Sequence, residues 1–130
     1  MEMLKSYRDK ISSVGIKKAE TTEESAMQDA YLKRFASVQD YLGSKIFPLL
    51  AETAGLPGIK MTDILDNLET EGVIESVESW AGLRALRNEL EHDYPEVPEI
   101  GQKMLAQAIE HYKTLESIYK QSIEFAGRFS

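Results

Sequence analysis

Arg87-Asn88-Glu89-Leu90-Glu91-His92-Asp93-Tyr94, directly ahead of Pro95, gathers a permanent cation, a carboxamide, an imidazole and a phenol into two helical turns. A guanidinium grips phosphate with a fork of N–H donors, and an imidazole exchanges protons near neutral pH. Together they suit chemistry at a phosphate ester, as in cutting or modifying a nucleic acid. At about 100° per residue, Arg87 and His92 lie roughly 140° apart on an ideal helix, so they do not share one stripe. Arg84, Asn88 and His92 do share one, and Arg87 aligns with Glu91. Tyr94, preceding a proline, is biased out of the helix. Convergence of Arg87 on His92 therefore calls for long side chains, fraying of the last turn or a second subunit.

Arg-Asn-x3-His-x-Tyr, followed by proline and placed before a last long helix, resembles the signature of HEPN domains. The likeness is to the HepT-like toxins of HEPN/MNT toxin–antitoxin systems, which pair with a minimal nucleotidyltransferase (MNT). It extends along the whole chain, since that family is a small all-helical domain with the motif ahead of its last helix. The resemblance implies metal-independent RNA cleavage, without a cofactor and with the RNA's own 2′-hydroxyl as nucleophile. His92 would take or give the proton, Arg87 would bind the scissile phosphate, and Asn88 would orient the phosphate or the imidazole. The family's site lies at a homodimer interface, where two copies of the motif face each other. Tyr94 would be the hydroxyl that the partner nucleotidyltransferase modifies with AMP, excluding RNA by charge and bulk.

Composition sets limits on this reading. A chain of 130 residues is expected to form a single domain, 1–130, around one core. It has no cysteine, so no disulfide, thiolate metal site or cysteine nucleophile is available, which fits a reducing cytoplasm. No apolar run approaches the roughly 18 residues of a membrane span, and Met1 to Lys10 is too mixed for a signal peptide. The net charge of −7 opposes RNA binding unless basic residues gather in one groove. Arg84, one turn from Arg87, is a candidate phosphate contact, and Lys33, Arg34 and Lys45 are further basic residues that could join it. The acidic remainder would suit a basic protein partner.

Only helical periodicity is convincing, which predicts an all-α, four- to five-helix up-and-down bundle. Leu4, Tyr7, Ile11, Val14 and Lys18 mark a first helix, weakened by Gly15. Thr21 and Thr22 offer an N-cap for a long second helix, with Glu23 and Glu24 in its first turn. Met27, Tyr31, Phe35, Val38, Leu42, Ile46 and Leu49 make its apolar stripe, and Pro48 should kink or break it. A loop follows at Gly55-Leu56-Pro57-Gly58, then a helix capped by Thr62 that buries Ile64, Leu65 and Leu68 until Gly72. Ser76 caps the motif helix, about Val77 to Asp93, which buries Val77, Trp80, Leu83, Leu86 and Leu90. After a tight loop from Tyr94 to Val97, Pro98 opens the last helix. Its core face is Ile100, Met104, Ala108, Leu115, Ile118 and Ile123, up to Gly127. Tyr31, Phe35, Tyr41, Phe47 and Trp80 follow the helical stripes and read as core, not as a base-stacking platform.

Blander accounts stand beside the chemical one. Arg87 with Glu91 is an ordinary i,i+4 ion pair, worth about 0.3–0.5 kcal/mol. His92 suits the negative end of a helix dipole, and Tyr94 could tuck its ring onto the bundle. Glu89-x-x-His92 has the spacing of a carboxylate-bridged di-metal motif. The second histidine, His111, has Ala108 three residues before it, so one chain offers half a site and no metal is expected. A different functional class is a non-catalytic HEPN-like subunit that holds substrate or nucleotide for a partner nucleotidyltransferase. A third is a structural helical interaction module.

Overall fold

Cap chemistry and two left-handed glycines set where the helices begin and end. The computed structural model describes residues 1–14, 21–56, 60–92 and 98–129, and among these the chain is all-α with no strand. The helices are α1 (Glu2–Val14), α2 (Thr22–Tyr41), α3 (Phe47–Thr53), α4 (Met61–Thr70), α5 (Val77–His92), α6 (Pro98–Glu110) and α7 (Tyr112–Gly127). A π turn, Leu42–Ile46, joins α2 to α3 without interruption. With α2, the π turn and α3 taken as one rod, the described residues form six helices, against the four or five expected. The extra one arises because the last helix divides at His111. Expectations for Gly15, Lys18, Pro57, Gly58 and Asp93 to Val97 lie outside the described residues.

Thr21 caps α2, its Oγ1 accepting the Glu24 N–H at 3.0 Å. Thr62 does not cap α4. The chain enters that helix at Met61, so Lys60 holds the cap position with no side-chain bond, and the Thr62 hydroxyl comes too late. Gly55 and Gly72 adopt φ of 67° and 79°. At Gly72 the Val73 N–H reaches the Leu68 carbonyl at 2.9 Å and the Gly72 N–H reaches Glu69 at 3.1 Å. This is a Schellman ending, with Val73 and Leu68 both buried. A Cβ added at Gly72 meets nothing within 4 Å, so substitution there costs backbone strain alone. Gly72→Ala is expected to lower stability by about 1–2 kcal/mol. Gly82→Ala, inside α5 and also in open space, is expected to raise it by about 0.5–1 kcal/mol. Urea denaturation of both variants checks the opposite signs.

Two compact units emerge along the chain, one of Met1–Val38 with Ala85–Tyr112, the other of Gln39–Arg84 with Lys113–Ser130. The core of the first is Leu4 and Ile11 of α1, Tyr31, Leu32 and Phe35 of α2, Leu86 and Leu90 of α5, and Met104, Leu105, Ala108 and Tyr112. Tyr31 is fully buried, and its hydroxyl donates to the Ala108 carbonyl at 2.8 Å. The Arg8 guanidinium lies 4.2 Å from the centre of the Tyr112 ring. Burial pushes the Tyr31 phenol above its ordinary 10.0, with Arg8 opposing the rise and Tyr112 adding to it. The unfolded chain therefore ionises first, so this group's stabilisation is complete below pH 10 and is lost above it. Stability is expected to fall as pH rises past about 10, and Tyr31→Phe to flatten the fall, in thermal melts from about pH 8 to about pH 11.

In the second unit Leu42, Phe47, Leu50 and Ala51 pack with Ile64, Leu65, Leu68, Val73, Ile74, Trp80, Leu83, Leu115, Ile118 and Phe125. Here the helical register departs from plain spacing. Beyond Leu42 the buried positions are Phe47, Leu50 and Ala51, while Ile46 is half-buried and Leu49 is 56% exposed. The Phe47 N–H donates to the Leu42 carbonyl, five residues back. The π turn thus holds one residue more than an α turn and moves the buried face from 46 and 49 to 47 and 50. Pro48 supplies a reason. In an unbroken α-helix its ring would meet the residue 44 carbonyl and leave that carbonyl without its usual bond. After the wide turn it falls in the first turn of α3, where a missing N–H matters little.

Three further apolar expectations are corrected. Tyr41 is 60% exposed, because the buried line runs through Tyr31, Phe35, Gln39 and Leu42 and passes it by. Ile123 is 58% exposed and Ser122 is buried in its place. The Ser122 hydroxyl satisfies itself on the Ile118 carbonyl at 2.7 Å, so a polar residue takes the core register. Val77 is half-buried rather than core.

Candidate functional site

The motif helix is anchored at its start and along one side. Ser76 Oγ accepts the Ser79 N–H at 2.9 Å, and the Glu69 carboxylate accepts the Val77 N–H at 2.8 Å, so two side chains satisfy the first turn of α5. Trp80, Leu83, Leu86 and Leu90 are buried at three-four spacing. Their line fixes the rotation of the helix and hence the directions of its polar residues.

Arg87 falls between Leu86 and Leu90, and only 20% of its side chain is exposed. The stem is covered while the guanidinium pairs with Glu91, whose carboxylate accepts from Arg87 Nη1. The i,i+4 pair expected from spacing is thus formed. Asn88 and Glu89 are exposed. His92 is the last described residue of α5, at the carbonyl end of the helix. Tyr94 lies outside the described residues. His111 is exposed at the break between α6 and α7, its N–H still bonded to the Gln107 carbonyl at 2.9 Å.

Arg84, the upstream arginine, is held by two residues that sequence reasoning did not single out. Its Nη1 donates to Asp40 Oδ1 at 2.9 Å and approaches Gln39 Oε1 at 3.5 Å. Gln39 is fully buried, and its Nε2 donates to the Leu83 carbonyl at 2.9 Å. The available signal was a glutamine standing four residues after Phe35 and three before Leu42, in line with a core stripe. The other basic candidates are exposed: Lys33, Arg34, whose Nη2 contacts Met3 Sδ at 2.9 Å, and Lys45 on the π turn.

The distribution of charge is uneven. From Met61 to Leu83 the chain has six acidic residues, Asp63, Asp66, Glu69, Glu71, Glu75 and Glu78, all exposed, and no Lys or Arg. With those six set aside, the other 16 of the 22 acidic residues nearly balance the 15 Lys and Arg. Those six carboxylates account for most of the net −7, and residues 87–99 are acidic as well, with five carboxylates against one arginine.

No protein-family model, curated protein or solved structure matches this chain.

Proposed function

We propose that this chain is a HEPN-type, metal-independent endoribonuclease, the toxin of a two-component system neutralised by an MNT-type nucleotidyltransferase antitoxin. The supporting observation is the placement of Arg87, Asn88 and His92 at the carbonyl end of a capped, rotationally fixed helix ahead of the last helices. His92 removes the proton from the RNA 2′-hydroxyl or delivers one to the leaving 5′-oxygen. Arg87 binds the scissile phosphate and stabilises the charge that grows on it, exchanging the Glu91 carboxylate for a phosphate oxygen. Asn88 orients either group, and Arg84 contacts a flanking phosphate. Tyr94 is the residue that the antitoxin modifies or touches. The angular separation of Arg87 and His92 is met by a homodimer, in which a second copy supplies the missing partner, within an up-and-down HEPN-like bundle. The substrate is a tRNA or mRNA, and the setting is the cytoplasm.

The test is cleavage of total RNA and tRNA by purified protein in EDTA. Wild type is expected to cut, and His92→Ala and Arg87→Ala to fail while still folded. A second reading is a non-catalytic subunit that holds substrate or nucleotide for a nucleotidyltransferase. It draws on the two carboxylates already seated on Arg84 and Arg87. Wild-type cleavage no greater than that of the variants would favour this second reading over the first.

A further inference from the structure

The core stripe of α2 carries one residue out of character. Gln39 is fully buried at a position where leucine would pack. A buried amide costs stability unless its polar atoms are met, and here, among the described residues, Leu83 and Arg84 of α5 meet them. A half-buried Arg–Asp pair needs no such support. Arg84 and Asp40 would hold each other at 2.9 Å with an apolar residue at position 39. What the amide adds is direction. Asp40 holds Nη1 at 2.9 Å and Gln39 Oε1 flanks the same nitrogen at 3.5 Å, so both approach the guanidinium from one side while 40% of the Arg84 side chain remains exposed.

A guanidinium is planar, so holding one nitrogen in two directions sets the plane in which its other N–H groups point. That is the geometry needed to receive a second anion, bidentately, on the far edge. We infer that Arg84 is a pre-oriented contact for a phosphodiester of bound RNA, and that Gln39 is the positioning residue that aims it. The inference rests on the RNA-binding reading above and adds to it a residue outside the motif. Because Asp40 offsets part of the Arg84 charge, the gain comes from geometry, and loosening the guanidinium weakens the contact without removing the cation.

The experiment titrates a short fluorescent oligouridylate by anisotropy at several salt concentrations. It compares wild type with Arg87→Ala, Arg84→Ala, Gln39→Leu and the Gln39→Leu/Arg84→Ala pair. Arg84→Ala is expected to weaken binding about tenfold and to reduce the salt slope by about 0.7, the signature of one single-strand phosphate contact. Gln39→Leu is expected to weaken binding about threefold. Its melting temperature should equal or exceed that of wild type, since a buried amide is replaced by a hydrocarbon. In the Arg84→Ala background the leucine should have no further effect on binding. Gln39→Met serves the same comparison should leucine pack poorly. Unchanged binding by Arg84→Ala, or an equal loss from the position 39 change with and without Arg84, overturns the inference. Loss in Arg87→Ala with Arg84→Ala unaffected overturns it alone, whereas wild type that binds no RNA overturns both it and the ribonuclease reading.

Discussion

His92→Ala protein is expected to cleave RNA about 10²- to 10⁴-fold more slowly than wild type in EDTA, the range over which a positioned general acid or base acts. Arg87→Ala is expected to lose about 10²- to 10³-fold, as when a donor to developing negative charge is removed. Both losses should be chemical rather than structural. The cap at Ser76 and the buried line from Trp80 to Leu90 hold α5 without help from its last residue. Arg87→Lys keeps the charge but not the planar fork, so its activity should fall between wild type and Arg87→Ala. Circular dichroism of each variant checks the fold, and gel analysis of tRNA digests measures the rate. Cleavage by His92→Ala at the wild-type rate would remove this motif from the reaction.

Phe47→Ala should cost about 3–5 kcal/mol, much of the 5–15 kcal/mol that holds a typical domain together. Phe47 has no exposed surface, and its ring lies 4.7 Å from that of Trp80, tilted by 58°. The site is closely packed, for a Cβ added at Gly43 would stand 3.0 Å from Trp80 Cζ2. A cavity left by the missing ring therefore has little freedom to collapse. Leu49→Ala, two residues on, should change stability by no more than about 0.5 kcal/mol, since that side chain faces solvent. The pair tests the register as well as the packing. Urea unfolding with equal costs at both sites, or the larger cost at Leu49, would return this helix to ordinary α spacing.

Much of the local structure was legible because it depends on neighbours in sequence. The caps at Thr21 and Ser76, the stop at Gly72 and the Arg87–Glu91 pair each join residues three to five apart, where helical geometry leaves few choices. What escaped was of two kinds. A polar residue that satisfies its own helix, as Ser122 does, is invisible to a count of apolar positions. Contacts between helices, such as Gln39 with Leu83 and Asp40 with Arg84, join residues about 44 apart whose meeting depends on packing. Of the candidate site, the spacing of Arg87, Asn88 and His92 on one helix was readable, and the hold on Arg84 was not. Pro48 announced a disturbance in the second helix but not its form, because a kink, a break and a widened turn all relieve the same clash.

The widened turn has a bearing on how this chain should be set beside any other. A protein that runs straight through the equivalent of Leu42–Ile46 as an α-helix needs one residue fewer to reach the same inward positions. An alignment without a gap would then match inward residues with outward ones from Phe47 to Thr53, scoring Leu49 where Leu50 belongs. The single-residue gap belongs inside 42–46, and placing it there puts Phe47 back in the column of core residues.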